Sequence, residues 1–91
     1  MKKTYYVTLE YVVDVEVDET KFTDQFMEEY SISITKRTTI DEHMQNLAIM
    51  YARGLIDYYP FPDAFIEGYG KMSEMGIKLD LEFRDTEVRE I

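Results

Sequence analysis

Eight carboxylates lie between Glu10 and Glu29 (Glu10, Asp14, Glu16, Asp18, Glu19, Asp24, Glu28, Glu29), against one base, Lys21. The 91-residue chain has a formal net charge of −9, so most of its excess sits in this one stretch. Acids in such numbers offer three chemistries: hard-cation binding, acid–base catalysis and recognition of a basic surface. Calcium needs six or more oxygens converging at ~2.3–2.6 Å. Asp14, Glu16 and Asp18 alternate along an extended segment, about 7 Å apart at ~3.4 Å per residue, so their carboxylates splay. The Gly and bidentate Glu that an EF-hand loop requires are absent from the stretch. No dedicated metal site is expected.

Catalysis fares no better. The chain holds one histidine, His43, and no cysteine. His43 falls in the first turn of a helix, where it is expected to face solvent. Gly68-Tyr69-Gly70-Lys71 echoes a phosphate loop, but without the preceding strand or a following Ser or Thr. No GxGxxG, HExxH or GxSxG pattern occurs. Among nineteen acids no pair is singled out for glycoside chemistry. The chain reads as a non-enzyme with no catalytic residue and no cofactor.

The elements that would position these acids are marked by periodicity. Tyr5, Val7, Leu9, Tyr11, Val13, Val15 and Val17 occupy odd positions, with Tyr6, Thr8, Glu10, Asp14, Glu16 and Asp18 among the even ones. That alternation predicts one long strand with a buried and a wet face. Thr20 to Tyr30 places Phe22, Phe26 and Tyr30 on one face of a short helix. Ser31 to Arg37 alternates again and predicts a second strand. Thr39 and Glu42 fit a capping box opening a helix to about Asp57, with Met44, Leu47, Ala48, Tyr51 and Leu55 inward. Tyr58-Tyr59-Pro60-Phe61-Pro62 breaks it.

A further helix is predicted from Asp63, carrying Phe65, Ile66, Tyr69 and Met72 and ended by Gly76. Gly68 and Gly70 weaken it, and a passing backbone or aromatic ring is a reason for them to be there. Ile77 to Arg84 forms a last strand. The order is β-α-β-α-α-β: an α+β fold with a small mixed or antiparallel sheet of about three strands and helices on one face. Tyr5, Tyr11, Phe22, Phe26, Tyr51, Phe65 and Phe83 are expected in the core.

Hydrophobic residues make up 45% and aromatics 14% of the chain, enough for a single compact domain over residues 1–91. Met1-Lys2-Lys3 is not followed by an apolar signal-peptide core, and no apolar run is long enough to span a membrane. The acidity argues against direct nucleic-acid or membrane binding, because both rest on Lys and Arg. A cytoplasmic location is expected (the host cytoplasm if the chain is phage-encoded).

Same-face acids about 7 Å apart approximate two steps along a DNA strand, and Asp24 and Glu28, four apart on a helix, offer a second row. Glu10, Asp14, Glu16, Asp18, Glu19, Asp24, Glu28 and Glu29, with Tyr6 on the same wet face, are therefore the expected partner-binding residues. Against this stands a plain solvated face, with Lys78 and Arg84 neutralising acids across strands. Short, acidic, cysteine-free and poor in motifs, the chain resembles in general character the small inhibitors of phages and mobile elements, such as anti-CRISPR proteins and other DNA mimics. The expected function is an inhibitor occluding a basic nucleic-acid-binding protein. The alternative is a non-catalytic structural or assembly module forming a homodimer.

Overall fold

The computed structural model describes residues 1–57 and 63–91, and the proline-broken segment expected at 58–62 lies outside them. The alternating stretch forms β1 (Tyr5–Glu16). A turn of 3-10 helix at Glu19–Lys21 leads to α1 (Asp24–Ser33), whose cap Thr23 accepts from Phe26 N at 3.1 Å. Thr39 caps α2 (Ile40–Ala52) by accepting from Glu42 N at 3.1 Å. The Glu42 carboxylate reaches past the cap to accept from Thr38 N at 3.3 Å. Then follow β2 (Phe65–Ile66), β3 (Gly70–Lys71), α3 (Met72–Met75) and β4 (Lys78–Glu90).

The fold is α+β, with β1 antiparallel to β4 and β2 antiparallel to β3. Two predicted elements are replaced by others, and the sheet expected to have about three strands is two pairs. Ser31–Arg37 is no strand: α1, once nucleated, runs on to Ser33, since adding a residue to a formed helix needs no partner and a strand does. The loop beyond is tied by Ser31 Oγ, which donates to Arg37 O (2.8 Å) and accepts from Arg37 N (3.1 Å). The helix expected from Asp63 is replaced by the β2–β3 hairpin, because Gly68 and Gly70 take φ of 87° and 85°. A Cβ on Gly68 would collide with Ile34 Cδ1 and the Tyr30 ring, so an aromatic ring does pass there. The helix from Thr39 ends at Ala52, earlier than expected.

The core lies where α2 covers one end of the β1–β4 pair. Phe22, Tyr30, Leu47, Tyr51, Ile56, Ile66, Tyr69, Met72 and Ile77 are buried in it, with Val13, Val15, Val17, Leu79 and Leu81 packed against them. Val13, Val15, Leu79 and Leu81 form the odd face of the sheet, and Val17 follows just past its end. Glu82 is an extra residue in β4: Val13 pairs with Leu81 but Val12 pairs with Phe83. This bulge inverts the phase of β4. Phe83 therefore joins the even, wet face and is half exposed, while Arg84 pairs with Tyr11 on the odd face. Tyr5 and Phe65 are also exposed.

Beyond the bulge the two strands leave the body as a ribbon. Its pairing continues to Tyr5–Glu90, closed by Ile91 N donating to Thr4 O at 3.0 Å and a Lys3–Glu90 ion pair at 3.7 Å. The molecule measures 54 × 26 × 20 Å, and its radius of gyration is 16.0 Å. A rounded chain of this length would have about 12 Å.

Candidate protein-binding face

Register decides which acids share a surface. Directly paired residues of an antiparallel ribbon point to the same side, ~4.5–5.5 Å apart. On the even side the pairs are Tyr6–Arg89, Thr8–Glu87, Glu10–Asp85, Val12–Phe83, Asp14–Asp80 and Glu16–Lys78. Six carboxylates therefore face two bases, and in two pairs acid stands directly against acid. Of the two bases, Lys78 forms an exposed ion pair with Glu16 at 3.8 Å. Arg89 lies over the Tyr6 ring, 5.2 Å from its centroid. Arg84, expected to neutralise this face, is on the other.

The strand thus brings together Glu10, Asp14, Glu16 and Tyr6 and adds Asp80, Asp85, Glu87 and Phe83, which sequence reasoning did not place here. The alternation of β4 was visible in the sequence; its position opposite β1 was not. Asp18 is outside the strand, at the cap of the 3-10 turn, where its carboxylate accepts from Thr20 N (3.0 Å) and Thr20 Oγ1 (2.7 Å). Those bonds, from the hydroxyl first and the amide second, hold its pKa below the usual value. Glu19 is exposed in that turn. Asp24, Glu28 and Glu29 belong to α1, which sends Phe26 and Tyr30 into the core on the odd side of the sheet, so they are not part of the even face. Asp24 and Glu28 instead line an open groove of about 420 Å³ with Met27, Ser31, Ile32, Lys36 and Thr38.

One titratable residue is far from its expected place. His43 is fully buried rather than in solvent. The inward stripe of α2 is His43, Asn46, Leu47 and Tyr51, one residue round from the apolar stripe that was expected, and Leu55 is exposed. His43 Nδ1 shares a 2.8 Å hydrogen bond with the Tyr69 hydroxyl. Asn46 Nδ2 donates to the hydroxyls of Tyr69 (3.0 Å) and Tyr30 (2.9 Å). Rings of Phe22, Phe26, Tyr30 and Tyr69 surround the imidazole, the nearest being Tyr30 at 4.8 Å and edge-on. Burial lowers the pKa of His43 and raises that of Tyr69, so both are held neutral. An imidazole with no exposed surface cannot touch a substrate. It pins α2 to the β2–β3 turn.

Among the described residues no group of three or more acids and histidines is arranged to hold a metal ion. None of the described helices is long and apolar enough to cross a membrane. No protein-family model matches the chain, and no curated protein or solved structure is significantly similar to it.

Proposed function

We propose that this chain is a small binding protein that occupies the basic, nucleic-acid-binding surface of another protein and so inhibits it without turnover. The observation that carries the reading is the pairing of Asp14 with Asp80 and of Glu10 with Asp85. Like charges directly opposite each other weaken a sheet. A face kept only for solubility is served as well by mixed signs, which would add stability.

The spacing fits the reading. From Thr8–Glu87 to Asp14–Asp80 four pairs carry five carboxylates over ~27 Å, more than half the line density of phosphates at ~3.4 Å along one DNA strand. Between the two acid pairs stand Val12 and Phe83, both exposed. An aromatic set among charges favours a protein partner over a loose counterion cloud, since aromatic and Arg residues dominate interface hot spots. Each acid would accept from an Arg or Lys of the partner, bidentate where Arg is used. A protein of this kind would act in the cytoplasm, where nucleic-acid-processing complexes are available, and in the host's if a phage encodes it.

The test is capture of nucleic-acid-binding proteins on the immobilised chain at low salt. Release by rising salt and by added duplex DNA or RNA supports the reading. Capture that neither salt nor nucleic acid displaces would overturn it.

A further inference from the structure

The odd face of the ribbon presents a different surface. On the body it is covered by the protein's own core; beyond the bulge the same face runs on bare. Tyr5, Val7, Leu9 and Val88 there are 51%, 55%, 58% and 62% exposed. Tyr5 pairs with Glu90, Val7 with Val88, Leu9 with Thr86 and Tyr11 with Arg84; the charges are confined to the two ends, Glu90 with its ion-pair partner Lys3 at the tip and Arg84 at the body. It is apolar along its length and carries no excess of acid, on a molecule of net charge −9.

We infer that the occupant of this face is a second copy of the chain, its ribbon packed face to face on the first about a two-fold axis. A two-stranded ribbon is marginal in water without a covered apolar face, so it is stabilised by a cover that is at hand wherever the protein is. A second copy meets that condition and supplies a bare face of the same length and character. The two-fold lays the tip of each ribbon toward the body end of the other. A face ~27 Å long and ~10 Å wide, covered on both copies, removes somewhat more than ~500 Å² from solvent, a small interface that calls for a high protein concentration.

Charge selects the face over the edges. Joining β1 to β1 or β4 to β4 edge to edge would set the even-side acids of one copy beside those of the other. Face packing keeps the odd sides together, with sheets ~10 Å apart, and turns both acid rows outward. The dimer does not rest on the proposed function, and salt separates the two: screening favours association of two chains of like charge and weakens capture of a basic partner.

Sedimentation of the intact chain at about 100 µM, a concentration suited to an interface of this size, is expected to give twice 10.9 kDa, undiminished at high salt. Val7→Lys, which sets a charge in the face, is expected to give the monomer. Because Val7→Lys could instead unfold the ribbon, single cysteines in this cysteine-free chain provide a second readout. Val7→Cys is expected to be joined to its copy by a bifunctional thiol cross-linker spanning about 10 Å, the separation of packed sheets, and Thr8→Cys, on the acidic side, is not. A monomeric wild type would overturn the inference and leave the face to a different protein. Equal cross-linking at both positions would overturn face packing in favour of an edge.

Discussion

Replacing His43 by leucine separates its packing from its titration. The imidazole is fully buried, its Nδ1 bonded to Tyr69 and its Nε2 without a partner. Its pKa is lowered chiefly by loss of water, with the Arg37 charge acting in the same direction and the Arg37 backbone and Glu42 opposing. The folded pKa is thus below the unfolded value of ~6.5, and on acidification the unfolded chain takes up its proton first. Stability from neutral His43 is complete above about pH 6.5 and is lost as pH falls toward the folded pKa. One proton bounds the slope at about 1.4 kcal/mol per pH unit. His43→Leu cannot titrate, so the slope between about pH 6.5 and pH 5, above the carboxylate range, is expected to disappear.

At neutral pH the same substitution leaves Tyr69 bonded to Asn46 and removes the unpartnered Nε2. The change in stability is expected to stay under about 1.5 kcal/mol. His43→Ala opens a cavity between four rings and is expected to cost about 2–4 kcal/mol. Urea unfolding followed by circular dichroism across this pH range measures all three. A wild-type midpoint indifferent to pH there, or a slope that survives His43→Leu, would refute the reasoning.

Other substitutions probe the elements that hold the face. Gly70→Ala meets open space and only strains a positive φ, so it is expected to cost about 1 kcal/mol in a thermal melt. Gly68→Ala adds collision with Tyr30 and Ile34 and is expected to cost at least twice as much; equal losses would contradict the close approach. Thr39→Ala removes the α2 cap and is expected to cost about 1 kcal/mol by the same measurement, with Thr39→Ser restoring most of it.

Much of the fold was legible where one physical rule acts over many residues. The alternation of Tyr5–Glu16 has one interpretation, and the Thr39 cap states the start of α2 locally. The Ser31–Arg37 alternation is too short to outweigh helix propagation from the Thr23 cap. Gly68 and Gly70 were seen as costly to a helix, but their positive φ needs the hairpin to be known. His43 and Asn46 were missed because hydropathy does not mark polar residues that satisfy one another in a core. For the candidate face, β1 gave its own acids, while Asp80, Asp85 and Glu87 depend on a non-local register. The bulge at Glu82, which turns Phe83 outward, is fixed by that pairing and leaves no mark in the local pattern.

The acid pairs provide the most direct test of the proposed function. Asp80→Lys combined with Asp85→Lys converts both like-charge pairs to opposite-charge pairs and leaves the even face with four acids and four bases. Each converted pair is expected to stabilise the ribbon by roughly 0.2–1 kcal/mol. The expected result is a protein at least as stable as wild type that no longer captures a basic, nucleic-acid-binding partner at low salt. A stable variant that captures the same partner as tightly as wild type would contradict the assignment of this face.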